Sequence, residues 1–331
     1  MNRKSHLKIV KNCIFLLTSF DKNKIPDLKI ILIIGESARA MNFGINGYKK
    51  ETTPQIKKIK NLISFKDVSP CANLTSQAVS CMLSEKTEKD FFATQNNSES
   101  IIKLFENLSF KTAWFSTQKA VGDNNSLLFI GTQAQKYIFK NTIAKNIGGK
   151  PIYDEYLLNY LSTEITDKKD QFIILHTEGS HFLFDERYPE NFKIFTPTCA
   201  YKNPDKCDRQ SILNSYDNSI LYTDYFISKV INELKNKNAI LFYISDHGQF
   251  LGEDGIYYHG NFGSHKSLVH KVPMLLWMSD SVLQNRYYKN KFSKALAKKN
   301  KKLSHDNLFD SLLDCSGIDS KFFDRNLSIC R

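Results

Sequence analysis

Three unbroken apolar runs constrain this chain more than any other feature: Ile30–Ile34, Phe172–Leu175 and Ala239–Ile244. Runs of that length, rich in branched aliphatic residues, suit strands buried on both faces, as in a parallel sheet covered by helices. Each run also ends in polar chemistry. "KIILIIGES" closes on Glu36-Ser37, and "QFIILHTEGSH" on His176, with Glu178 and His181 just beyond. "FYISDHGQFLGEDGIYYHG" passes through Asp246-His247-Gly248 and meets a second imidazole at His259. Open α/β sheets bind ligands beyond the carboxyl ends of their strands. One polar strand end is ordinary, whereas three together mark a site.

Between these runs the apolar spacing alternates with helical periods. Thr53-Pro54 is expected to open a short helix over "TPQIKKIKNL", with Thr53 as N-cap and Pro54 in the first turn. "ISFKDVSP", "KTAWFST" and "VPMLLWMS" read as further strands. "NLTSQAVSCMLS", "SESIIKLFENLSF", "PIYDEYLLNYLSTEIT" and a capped "SHDNLFDSLLDCSG" read as helices, the last ending at Gly317. A long helix spans Asp208–Asn236, from the spacing of Ile212, Tyr216, Ile220, Ile227 and Leu234. The fold class is α/β, a single sandwich of helices around a mainly parallel sheet.

A net charge of +12 admits nucleic acid, an anionic membrane surface or phosphorylated substrates as partners. No zinc-finger spacing or RNA-binding aromatic signature supports nucleic acid, and the lysines are scattered apart from a dense patch at 289–302. No window reaches the ~20 apolar residues of a membrane-spanning helix. The basic start and short apolar stretch Cys13–Leu17 have no small-residue cleavage site after them, so residues 1–28 read as a linker and lead-in helix.

The cysteines group as Cys71 with Cys81, Cys199 with Cys207, and Cys315 with Cys330, leaving Cys13 alone. No Cys-x-x-Cys occurs, which argues against a zinc–thiolate site. Three short-range pairs suit loop staples in an oxidising compartment, each contributing roughly 2–4 kcal/mol. The alternative is a set of reduced, buried thiols.

Glu36, Asp246 and His247 offer two oxygens and a nitrogen, a set suited to Zn²⁺. In a catalytic zinc site the fourth position belongs to water, substrate or a nucleophile. Thr75, near a helix start and bracketed by Cys71 and Cys81, is a candidate for it. Helix N-termini favour phosphate, and a metal-bound hydroxyl becomes a nucleophile. The competing reading has Asn73 or Thr75 merely capping the helix.

Taken in order, "GES-R" at 35–39, "NLTS" between two cysteines, the histidines of 176–181, "SDHGxxLGExGxYxHG" at 245–260 and the "TPTC…C" pair resemble the lipid A and lipooligosaccharide phosphoethanolamine transferases. That resemblance implies an alkaline phosphatase/sulfatase-like catalytic domain over 29–331. It further implies that residues 1–28 lead in from a membrane domain, and that the unit is the periplasmic, monomeric part of a protein of the Gram-negative inner membrane. It makes Glu36, Thr75, Asp246 and His247 zinc ligands, with Thr75 the nucleophile. His181 and His259 fall where the family holds the transferred phosphoryl group or a second zinc and assists proton transfer, with His176 beside them on the substrate side. The donor implied is phosphatidylethanolamine, and the acceptor lipid A or lipooligosaccharide.

The chain departs from the family where Trp-x-x-Asn-Asn precedes a substrate lysine. Here Trp114 leads into "FSTQK", so Lys119 stands in for that lysine. One family disulfide has no matching cysteines in 122–170, and Cys315–Cys330 lies outside the pattern. Glu178 and His265 receive no role. The alternatives are a phosphodiesterase or phosphoglycerol transferase of the same superfamily and, from another class, a basic envelope or nucleic-acid-binding module. The last leaves the clustered acids and histidines unexplained.

Overall fold

The computed structural model describes residues 18–20, 25–94, 100–119, 125–148, 150–166, 168–253, 255–259, 271–320 and 324–331. Its main sheet has eight strands: β2 (Lys29–Gly35), β3 (Leu62–Ser69), β4 (Lys111–Ser116), β5 (Lys136–Ile138), β6 (Gln171–His176), β7 (Ala239–Ser245), β8 (Val272–Met278) and β9 (Leu303–Ser304). Their order is β5-β4-β6-β2-β7-β8-β3-β9. Strands β5, β4, β6, β2 and β7 run parallel, while β8 is antiparallel to both β7 and β3. The three runs that dominate the sequence, β6, β2 and β7, are neighbours at the centre.

Because side chains alternate across a strand, each central strand feeds two cores. Ile30, Leu32 and Ile34 join Phe172, Ile174, Ile240, Phe242 and Ile244 on one face. Helices α1 (Thr75–Met82), α2 (Ile101–Asn107), α5 (Arg286–Ala297) and α6 (Asp306–Cys315) cover that face. Ile31 and Ile33 join Ile173, Leu175, Leu241 and Tyr243 on the other, under α3 (Tyr156–Glu164) and the long α4 (Arg209–Leu234). Burying one such side chain is worth about 1.5–3 kcal/mol. The doubled burial of β2, β6 and β7 makes each of these strands contribute to both cores of the sandwich.

Two local expectations are corrected. The segment after Thr53 makes only a single 3-10 turn, Ile56–Lys58. Thr53 does not cap it, since its Oγ1 accepts a hydrogen bond from Ile45 N at 2.7 Å. Asp224, reaching across from α4, accepts from Gln55 N at 3.0 Å and Ile56 N at 2.8 Å. A cap from a distant helix fixes one turn but has no local sequence signal to extend it. Within the expected lead-in helix, residues 18–20 instead form strand β1 (Thr18–Phe20), antiparallel to β10 (Ile318–Ser320). The other described residues of that segment, 25–28, lie outside helix and strand, and Cys13 lies outside the described residues. Among the described residues no helix is long and apolar enough to cross a membrane.

The three cysteine pairs are bonded, with Cα separations of 6.5 Å for Cys71–Cys81, 5.7 Å for Cys199–Cys207 and 5.4 Å for Cys315–Cys330.

Burial pushes the Asp224 carboxyl from its ordinary 3.8 up to about 7, despite the two backbone donors that favour the charged form. A raised folded-state pKa means the native state holds the proton more tightly than the unfolded chain. The associated stability is complete below about pH 4 and is lost as pH rises through about 7. Asp224→Asn should therefore flatten the fall of melting temperature between pH 4 and 7 relative to wild type. Parallel melts across that range check it.

Candidate metal centre and nucleophile

Strand register assembles the site. Gly35 pairs with Ser245 and Ile34 with His176, so β2, β6 and β7 end level. Glu36 and Asp246-His247 therefore emerge side by side. The turn after β2 is tight, with Ser37 in the left-handed region at φ 59. It is pinned from three sides: Ser37 N donates to Asp246 Oδ1 (3.0 Å), Ala38 N to Ser245 Oγ (2.8 Å), and Tyr216 Oη of α4 donates to Ser37 O (2.8 Å). Beyond β6, buried Asp154 accepts from Glu178 N (2.8 Å) and Gly179 N (3.0 Å), folding that loop against Glu36.

Glu36, Asp246 and His247 are fully buried, and their ligand atoms lie within 4.8 Å of one another. His247 Nδ1 meets Gly248 O at 2.9 Å. A carbonyl only accepts, so Nδ1 carries the proton and Nε2 presents its lone pair. Nε2 faces Asp246 Oδ2 at 3.3 Å and Glu36 Oε1 at 3.5 Å. Asp246 Oδ2 is buried without a hydrogen-bond donor. Among the described residues no lysine or arginine forms an ion pair with either carboxylate. Burial, then the Glu36 charge, pushes the Asp246 carboxyl well above its ordinary range. Burial would raise Glu36 as well, but in the acid range where a carboxyl titrates the neighbouring His247, His181 and His259 and the Ser37 hydroxyl hold it below its ordinary value. Two buried carboxylates and an imidazole lone pair aimed at one point, with an orphaned oxygen, form a cation site. The residues present fit a metal ion.

Thr75 opens α1 and does not cap it. The capping residue is Leu74, which makes no side-chain cap bond. Thr75 Oγ1 instead donates to Glu36 Oε2 at 3.0 Å and lies 3.2 Å from His247 Nε2. The helix-capping reading is overturned for Thr75, because its hydroxyl is spent on the carboxylate and imidazole. The Cys71–Cys81 bond closes across this helix, and His305 of α6's N-terminal end braces the same edge, with Nε2 3.0 Å from Ser245 O.

Two more histidines approach. The His259 ring lies 4.3 Å from that of His247 and 5.9 Å from that of His181, centroid to centroid. Burial and the neighbouring His247 push His259 down to about 4, so it is neutral at physiological pH. Its Nδ1 is 3.1 Å from Gln249 Oε1. His259 thus comes back against His247, with Gln249 steadying the returning imidazole.

His176 is placed differently from the expectation. It is buried, with its ring at 60° to Trp114 and Nδ1 3.1 Å from Ser116 Oγ. Lys119 is exposed on the loop after β4, while its neighbour Gln118 enters the cluster and donates from Nε2 to Glu36 Oε2 at 2.8 Å. Sequence reasoning missed Gln118, although it sits where the family pattern carries Asn. Glu178 is structural, paired with Lys140 at 2.7 Å and Arg187 at 3.0 Å. His265 lies outside the described residues.

The chain belongs to the sulfatase family, whose model matches residues 29–318. Within it, the similarity is to phosphoethanolamine transferases. Phosphoethanolamine transferase EptA of Escherichia coli K12 is 33% identical over 318 residues, covering 91% of this chain and 56% of that protein. This chain thus spans about half the length of the curated relatives it matches. The soluble domain of lipooligosaccharide phosphoethanolamine transferase A from Neisseria meningitidis superposes with a TM-score of 0.84 at 27% identity, covering 96% of both chains. The C-terminal periplasmic domain of phosphoethanolamine transferase EptC from Campylobacter jejuni gives 0.80 at 30% identity, covering 93% of this chain and 95% of that one. The sulfatase-like α/β architecture expected from sequence holds.

Gly179 has φ +49, and a Cβ there would stand 2.9 Å from both Glu36 N and Glu36 O. Gly148 also has positive φ, +64, but open space around it. Gly148→Ala should lose only the left-handed penalty, about 1–2 kcal/mol. Gly179→Ala should lose clearly more and also weaken metal retention. Denaturant midpoints and metal content of the two variants test this.

Proposed function

We propose that residues 29–331 form the catalytic unit of a zinc-dependent phosphoethanolamine transferase that works through a covalent Thr75 intermediate. One observation carries the reading: the Thr75 hydroxyl is withdrawn from helix capping and held against Glu36 and His247. The names of the relatives support the transferred group and the lipid A class of acceptor. The O,O,N donor set with Thr75 as a fourth oxygen supports zinc held by Glu36, Thr75, Asp246 and His247. Zinc bound there would acidify a hydroxyl and offset negative charge on a phosphoryl group.

The reaction runs in two displacements. Thr75 Oγ1 attacks the phosphorus of phosphatidylethanolamine. The Thr75 Oγ–P bond forms, the P–O bond to diacylglycerol breaks, and the hydroxyl proton ends on the leaving oxygen. A hydroxyl or phosphate of lipid A or lipooligosaccharide then attacks the phosphorus, the Thr75 Oγ–P bond breaks, and Thr75 Oγ regains a proton, handed on from an attacking hydroxyl through His259 or taken from solvent when a phosphate attacks. His259, kept neutral by its surroundings, accepts the proton of an incoming hydroxyl, with His181 beside it. Lys119, exposed at the rim, contacts the substrate. The disulfides suit an oxidising compartment, and the unit acts in the periplasm at the inner-membrane surface, as a monomer.

Thr75→Ala should abolish transfer at a stability cost of about 1.5–3 kcal/mol, the scale of one hydrogen bond to a charged group. Thr75→Ser should keep part of the activity, and Asp246→Asn should lose zinc and activity together. Wild type given phosphatidylethanolamine without acceptor should gain a phosphoethanolamine adduct on the 71–81 peptide, seen by mass spectrometry. Full activity in folded Thr75→Ala, with no adduct on wild type, would favour a phosphodiesterase in which water attacks.

A further inference from the structure

The site has a buried contact on a metal-site carboxylate that the reaction scheme leaves unused. Gln118 follows β4, is 8% exposed, and donates from Nε2 to Glu36 Oε2 at 2.8 Å and to Thr177 O at 2.9 Å. Both partners are acceptors, which fixes the nitrogen of the amide, not its oxygen, toward Glu36. The backbone of Gln118 is itself held. Its N donates to Ser116 Oγ at 3.0 Å and its O accepts from Lys140 N at 3.2 Å. Ser116 Oγ lies 3.1 Å from His176 Nδ1, and His176 is wedged against Trp114. A continuous chain of contacts therefore runs from the core, through His176, Ser116 and Gln118, to the carboxylate of Glu36.

We propose that Gln118 is a positioning residue for the metal centre, holding the Glu36 carboxylate in its ligating orientation, and that His176 acts through Ser116 and Gln118 without touching substrate. The proposal rests on the zinc reading of the cluster. Its logic lies in the two donors on Glu36 Oε2. Thr75 Oγ1 is the other, at 3.0 Å, and it has no proton to give once it is bonded to phosphorus. On that oxygen Gln118 is the donor that persists through both displacements, while the Ser37 hydroxyl donates to Oε1 at 2.5 Å. An uncharged donor also steadies the carboxylate without neutralising it, whereas a lysine or arginine in the same place would compete with the cation for its charge. Outer contacts of this kind commonly control metal affinity by ~10–100-fold.

The test is zinc affinity measured by competition with a chromogenic chelator, on wild type, Gln118→Leu, Ser116→Ala and the double variant, alongside thermal melts of the zinc-free forms. Gln118→Leu should bind zinc ~10–100-fold more weakly, with a zinc-free melting temperature close to wild type. Ser116→Ala should weaken binding less, and the double variant should be no worse than Gln118→Leu alone, because the two residues act in series. Gln118→Asn, whose donor stops one carbon short, should shift affinity in the same direction and serves if the leucine variant does not fold. Wild-type affinity in folded Gln118→Leu or Gln118→Asn overturns the proposal. Additive losses in the double variant overturn the part assigned to His176 and Ser116, as does a rise in donor KM at unchanged zinc affinity in His176→Asn. Failure of wild type to bind zinc at all sinks the underlying metal reading instead.

Discussion

Two carboxylates with no ion-paired cation among the described residues lie at the centre of this molecule, and the architecture around them follows from holding them there. Glu36 and Asp246 emerge from adjacent strands whose paired ends place them within ligand distance of one imidazole nitrogen. Like charges at that separation, out of water, repel strongly. Only a rigid surround keeps them together, and the sheet supplies it. Each of the three central strands is buried on both faces, so the tips cannot splay without opening two cores at once.

The tight turn after β2 has the same logic. Ser37 sits at positive φ, a conformation that a non-glycine residue holds only when its surroundings impose it. Asp246, Ser245 and Tyr216 each bond to that turn. The Tyr216 hydroxyl accepts from Arg39 N as it donates to Ser37 O, both at 2.8 Å, so the longest helix is bolted to the metal-site turn. Arg39 then reaches Glu253 at 3.0 Å, tying the same turn to the loop that returns His259.

Much of this was legible in the sequence because it is written in contiguous residues. Apolar runs ending in acids and histidines located the strands, the edge of the sheet that carries the site, and Glu36, Asp246 and His247. What escaped was long-range. Gln118 gives no local sign that its amide turns back to Glu36, and the Asp224 cap on the Ile56 turn comes from a helix far along the chain. Thr53-Pro54 satisfied every local rule for a helix start, yet the hydroxyl of Thr53 was committed to Ile45 N. His176 lies next to functional residues in sequence but is buried against Trp114 at the end of β6, a contact between strands that its neighbours along the chain do not announce. Local pattern records which residues are near each other along the chain, and the chemistry depends on which are near each other in space.

The double-faced burial of β2 has a further consequence, for error tolerance. Its five consecutive aliphatic residues are so alike that shifting the strand by one position would exchange the two cores' isoleucines at little cost in packing. The same shift would turn Glu36 to the opposite side of the sheet. Packing therefore carries almost no information about register in this strand. That information resides at its ends: Lys29, fully buried with its ammonium on Lys169 O at 2.7 Å, and Gly35, where any Cβ would strike the Tyr243 hydroxyl at 2.5 Å. An insertion or deletion in the middle of the run would therefore set the two ends against each other: keeping Lys29 in its buried place turns Glu36 away from the metal site, and keeping Glu36 in place displaces Lys29.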